Sequence, residues 1–135
     1  MEMAVDQHEL LTDPATLIAV VGATDAPGKY GGIIYRDLRS RGHRVVPVNP
    51  NRTTVAGDPS YPDLASLPER PHIVNLVVPA RIGRKVIDEW SSLGGESVWF
   101  QPGSYDNALV AKARDAGLDV IDGDCVMVVS RRLAS

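Results

Sequence analysis

The chain has 135 residues, of which 44% are apolar and 23% charged, with a formal net charge of −3. That length suits one domain with its own core, here residues 1–135, and falls short of two. The composition is that of a globular protein, and no dense basic run marks nucleic acid as a main partner, Arg131-Arg132 being only a pair.

Residues 6–13 carry Leu10 and Leu11 among polar neighbours ahead of Pro14, which predicts a short leading helix. No cationic stretch followed by a long apolar one precedes it, so no signal peptide is read. No apolar run approaches the roughly 18 residues of a membrane helix, and a soluble cytoplasmic domain is expected. Leu17 to Val21 is a first strand without alternation, as in a parallel strand covered on both faces. Gly31 to Arg41 reads as a helix with Ile34 and Leu38 on one face, stopped by Gly42.

Val45 to Val48 is a second strand, although its Pro47 lacks a ladder donor and suits an edge. Four prolines between Asn51 and Pro71 predict a loop there, with one helical turn at Asp63 to Leu67. Ile73 to Val78 is a third strand. Pro79 opens a helix whose stripe is Ile82, Val86, Trp90 and Leu93, ended by Gly94-Gly95. Ser97 to Phe100 is a fourth strand; Ser104 is the expected cap of a helix reaching Ala116, with Asp106 in its first turn. Leu118 to Ile121 is a fifth strand. Strands alternating with helices predict an α/β, Rossmann-like, doubly wound parallel sheet of five strands, in the order 3-2-1-4-5.

The loop after the first strand, Gly22 to Lys29, fits neither common phosphate motif. Five residues separate Gly22 from Gly28, and Tyr30 follows Lys29 where a Walker loop needs Ser or Thr. The pattern G-x-G-x-x-G is also missing, because Ala23 and Thr24 follow Gly22. The bland alternative is a tight strand-to-helix turn. The functional reading is a wider, proline-containing phosphate loop, with backbone amides, the Thr24 hydroxyl and Lys29 as donors. The second strand ends in Asn49-Pro50, not in the acid that would hold both hydroxyls of an NAD ribose. Either this is only a turn, or Asn49 tolerates a ribose that carries phosphate and Arg52 pairs with it.

In sum the chain resembles the coenzyme A-binding domain family, in particular small stand-alone members similar to the nucleotide domain of acyl-CoA synthetases and of the succinyl-CoA synthetase α subunit. The segments VVGATDAPGKYGG, VPVNPN, GDPSYPDLASLP, NLVVPA, VWFQPGSYDNALVAKARDAGLDVI and DGDCVM carry the resemblance in order. It implies that Gly22, Ala23 and Thr24 meet the phosphates with Lys29 as helper. It sets Asn49, Pro50 and Arg52 at the adenosine 3′-phosphate, where family members often have Lys near Arg52. Val78, Pro79 and Ala80 would line the adenine or pantetheine path, and Gln101 and Gly103 would flank the pantetheine arm. Gln101 matches a common Gln, whereas Phe100 and Pro102 depart from the usual neighbours.

No Ser, His and Asp group is placed by motif for catalysis, and no enzyme is expected. The three histidines, His8, His43 and His72, lack metal-ligand spacing, so no metal is expected either. His43 and His72 read as exposed or capping residues. Cys125 is the sole cysteine. It reads as a small buried apolar residue, or as a partner for the CoA thiol in a mixed disulfide. The function expected is non-catalytic binding of CoA or a short acyl-CoA, as sensor, carrier or partner of a separate enzyme. Two alternatives remain: an NAD(H)-binding redox-sensing module, and an interaction domain with a vestigial pocket.

Overall fold

A computed structural model describes residues 6–134. Helix α1 (Gln7–Thr12) starts where the Asp6 carboxylate accepts the N–H groups of His8 and Glu9, at 3.0 and 3.3 Å. Strand β1 (Leu17–Val21) is buried throughout, and α2 (Tyr30–Ser40) follows. Then come β2 (Arg44–Val48), a hairpin of β3 (Thr54–Val55) and β4 (Asp58–Pro59), and β5 (Ile73–Leu76). The remainder alternates: α3 (Ala80–Ser92), β6 (Ser97–Phe100), α4 (Asn107–Asp115), β7 (Asp119–Ile121) and α5 (Val126–Leu133). No described helix is long and apolar enough to cross a membrane.

Five of the strands form one parallel sheet in the order β2-β1-β5-β6-β7. In terms of the five strands read from the sequence this is 2-1-3-4-5, which corrects the expected 3-2-1-4-5. The chain from β2 passes over β1, and the third strand pairs with β1 on its other edge, Ile18 opposite Ile73. The strand compositions explain the choice. Every residue of β1 and β5 is buried, whereas β2 runs from exposed Arg44 to buried Val48. Setting β1 and the mostly apolar β5 in the centre and leaving the proline-containing strand at an edge satisfies both the hydrophobic effect and the backbone hydrogen bonds.

Two cores follow from the two faces. On one, Ala19, Val21, Val74, Leu76, Val98 and Phe100 meet Ile87 and Trp90 of α3 and Leu109 and Ala113 of α4. On the other, Ile18, Val20, Ile73 and Trp99 meet Leu11 of α1, Ile34, Tyr35 and Leu38 of α2, and Val126 and Val129 of α5. The two indoles are buried with their N–H groups satisfied, Trp90 on the Ser97 carbonyl and Trp99 on that of Asp124, both at 2.8 Å.

Several local expectations shift. The stripe read on α3 is rotated: Gly83, Ile87 and Trp90 face the core, while Ile82 and Leu93 are 38% and 37% exposed. The predicted turn of helix at 63–67 is an Asp63-capped bend, with the Ser66 N–H on Asp63 Oδ1 at 2.9 Å. The third strand ends at Leu76, two residues early. Asp106, not Ser104, caps α4 from outside the helix by accepting the Leu109 N–H at 2.8 Å. The β3–β4 hairpin and α5 have no counterpart in the sequence reading.

Candidate functional site

Strand order reverses between β1 and β5, since β2 lies to one side and β6 to the other. Open α/β sheets take ligands in the crevice above the strand C-termini at such a point. Its floor starts at Gly22, which has φ 103° and donates its N–H to the Val48 carbonyl at 2.9 Å. A Cβ there would overlap the Val77 carbonyl oxygen and come within 2.9 Å of Val78 Cγ1, so only glycine lets the chain pass between β2 and β5. A Cβ on Gly31 would in turn overlap the Gly22 carbonyl, so the first turn of α2 sits directly beneath the loop.

That helix begins at Lys29 without a capping side chain. Its first-turn N–H groups therefore carry the positive end of the helix dipole toward the loop, an arrangement suited to an anion. Thr24 Oγ1 accepts the Ala26 N–H at 3.1 Å, which leaves its O–H proton to donate. Lys29 and Arg52 are exposed, and neither pairs with a carboxylate among the described residues.

Beside the loop runs a groove of about 520 Å³ between the ends of β1 and β2, the segment around Leu64, and α3. Gly22, Asn49, Pro50 and Val78 line it, as does an apolar wall of Val48, Leu64, Ile82 and Val86. Lys85 supplies a cation at its side, and Glu89 holds the covering segment by accepting the N–H groups of Leu64 and Ala65, each at 3.2 Å.

The predicted residues thus divide. Gly22, Asn49, Pro50 and Val78 share the groove. Ala23 is buried and Thr24 half-buried on the α2 side of the loop, while Lys29 stands at that helix start. Pro79 caps α3 and Ala80 is its first residue. Arg52 is exposed, and its backbone N–H closes a turn on the Asn49 carbonyl at 3.3 Å. Gly103 lies exposed in the turn after β6. Gln101 is only 4% exposed and its amide is engaged: Oε1 accepts from Asn75 Nδ2 at 3.0 Å and from the Val126 N–H at 2.8 Å. Its Nε2 donates to Cys125 Sγ at 3.3 Å, so Gln101 ties β5, β6 and the start of α5 together. Cys125 is half-buried, between the two readings made of it.

Ile82, Val86, Lys85 and Leu64 belong to the groove and escaped the sequence reading. The signal was present, because Ile82 and Val86 stood on the stripe assigned to the core. A second hollow, about 530 Å³, lies at the opposite, N-terminal ends of the strands among Asp6, Glu9, Asp13 and Glu96. There four carboxylates outnumber the one arginine, Arg70, whereas the groove lies above the strand C-termini at the switch point, which makes the groove the candidate site. Among the described residues no cluster of His, Cys, Asp or Glu is placed to hold a metal ion.

Sheet order, glycine-led loop and switch-point groove define a Rossmann-like α/β domain. The model of the family described as CoA binding domain matches residues 16–131, and the chain belongs to that family. It is similar to the ADP-forming acetate–CoA ligase I of Archaeoglobus fulgidus, with 27% identity over 128 residues, and spans 87% of its own length but 19% of the ligase. Among solved structures, a conserved hypothetical protein from Pyrococcus furiosus superposes with a TM-score of 0.80 at 38% identity, over 84% of this chain and 97% of that one. A hypothetical protein from Pyrococcus horikoshii OT3 gives a TM-score of 0.85 at 28% identity, with both chains covered in full.

Proposed function

We propose that this chain binds coenzyme A or a short acyl-CoA without turning it over, as a sensor, a carrier or the partner of a separate enzyme. The observation that carries this reading is the apolar groove at the switch point, lined by Gly22, Asn49 and Val78, beside a helix start that no side chain caps. Each part of the ligand meets matching chemistry. The adenine lies against Val48, Pro50 and Ile82, and the diphosphate meets the Thr24 amide and hydroxyl and the first-turn N–H groups of α2, with Lys29 nearby. Arg52 takes the 3′-phosphate, and the pantetheine arm leaves past Val78, Pro79 and Ala80 toward Gln101 and Gly103. Membership of the CoA binding domain family supports the ligand class.

Thermal unfolding with CoA, dephospho-CoA, acetyl-CoA, NAD⁺ and ATP, side by side, tests the proposal. A ligand at about a hundred times its Kd adds roughly 2.7 kcal/mol, which a melting curve resolves. CoA and acetyl-CoA are expected to raise the Tm. A shift with NAD⁺ alone would make this a redox-sensing module instead, and no shift with any of the five would leave an interaction domain.

A further inference from the structure

The β3–β4 hairpin turns at Ala56 and Gly57, with φ 51° and 83°. Two successive left-handed residues make the tight hairpin turn that usually opens with Asn, Asp or Gly. An alanine in the first position is strained, and such strain persists where surrounding contacts over-determine it. Here both backbone groups of Ala56 are held by side chains. Its N–H donates to Asp25 Oδ1 at 2.9 Å, and its carbonyl accepts from Arg39 Nη1 at 2.8 Å. The hairpin is also anchored to α2: Val55 is fully buried, the Tyr35 phenol donates to Asp58, and Arg39 lies 3.5 Å from the same carboxylate. Burial, then the hydrogen bond to Asp58, pushes the Tyr35 phenol well above its ordinary pKa, so the anchor stays protonated.

Of these partners Asp25 belongs to the glycine loop, immediately after Thr24. A free carboxylate in that place would repel an incoming phosphate. Tethered to Ala56, with Arg36 at 4.0 Å, it instead connects the loop to a fixed strap. We propose that Asp25 is a positioning residue for the anionic ligand: by hooking the clamped hairpin it holds the Thr24 amide and hydroxyl in their receptive arrangement beside the start of α2 before the ligand arrives. The inference rests on the reading of the crevice as a CoA site and adds how that site is pre-organised.

Calorimetric titration of the full chain with CoA and with 3′-dephospho-CoA tests it, alongside amide hydrogen exchange of the ligand-free protein. Asp25→Ala is expected to weaken both ligands by about tenfold and to the same degree, because both carry the diphosphate. Asp25→Asn keeps an acceptor for the Ala56 N–H and is expected to bind both at least as tightly as the parent chain. Exchange of the Ala23 to Ala26 amides should quicken in Asp25→Ala alone. Parental affinity in Asp25→Ala, or a loss that Asp25→Asn does not restore, would overturn the proposal. If the parent chain binds neither ligand, the CoA reading fails by itself. Exchange then still decides the tether, and unchanged protection of the loop in Asp25→Ala would overturn it.

Discussion

Asn49 Nδ2 donates to the carbonyl oxygen of Ala23 across 2.9 Å, joining the end of β2 to the loop after β1. The Oδ1 of the same side chain accepts the Asn51 N–H at 2.9 Å. The amide thus shapes the crevice floor, and an acid at this position could not replace it, since a carboxylate would face the Ala23 carbonyl with no proton to offer. Asn49→Ala is expected to lose about 1 kcal/mol of stability in urea unfolding, and Asn49→Asp about 1–3 kcal/mol. Equal stability of all three proteins would show that the bond is ornamental.

Arg52 makes the second prediction. If it reads the 3′-phosphate, CoA binds more tightly than 3′-dephospho-CoA, and Arg52→Ala removes the difference. A hydrogen bond to a charged group contributes about 1.5–3 kcal/mol, or roughly ten- to a hundredfold in Kd. Titration of both ligands at two salt concentrations checks it; equal affinities in the parent chain refute the assignment.

On α3, two isoleucines five residues apart are expected to part company. Ile87 is 1% exposed within the α3–α4 core, so Ile87→Ala should cost about 2–5 kcal/mol in stability. Ile82 is 38% exposed and lines the groove. Ile82→Ala is expected to leave the unfolding free energy in urea within about 0.5 kcal/mol while weakening CoA. A parental Kd for CoA in Ile82→Ala would remove that side chain from the site.

The same helix shows where the sequence is legible and where it is not. Length, composition and glycine stops placed α3 within a residue, because these act locally. Which apolar residues face inward is decided by where the helix docks, and the stripe through Ile82 and Leu93 was rotated away from the sheet. Strand order has the same origin. Leu17–Val21 was read to the residue from its uniform apolarity, yet nothing within it says that β5 lies on its other side. Pro47 was the available hint, pointing to an edge. The hairpin escaped because Ala56-Gly57 lacks the usual asparagine and is held by Asp25 and Arg39, partners 31 and 17 residues away. Gly22, Asn49, Pro50 and Val78, read from the sequence as ligand contacts, lie within two residues of a strand end and line one groove. Gln101 was read as a neighbour of the ligand, while its amide is occupied with protein.

A pH dependence follows from His43, half-buried with Nε2 2.7 Å from Ser130 Oγ of α5. Burial first, then the charge of Arg41, lowers its pKa, with Asp37 opposing. The unfolded chain therefore takes up this proton before the folded one does as pH falls. Stability is complete above the ordinary histidine value of about 6.5 and declines as pH drops through it toward the folded-state pKa. Asp106, lowered by the Leu109 N–H and then by Arg84, titrates further down and leaves this window clear. Urea midpoints at about pH 7.5 and 5.5 should differ in the parent chain and converge in His43→Gln; a parent midpoint that does not move between them removes the linkage.

The outermost strand has one further consequence. Beyond Val48, β2 meets the segment around Tyr61, whose N–H donates to the Pro47 carbonyl at 3.1 Å and whose carbonyl accepts the Asn49 N–H at 2.8 Å. The proline-rich connection thus folds back as a selvedge along the open border of the sheet. With Pro47 offering no N–H and Arg44 adding charge to the exposed start of β2, little of that border can template another chain. The stretch that looks least structured in the sequence is therefore what closes off the C-terminal end of this edge of the sheet.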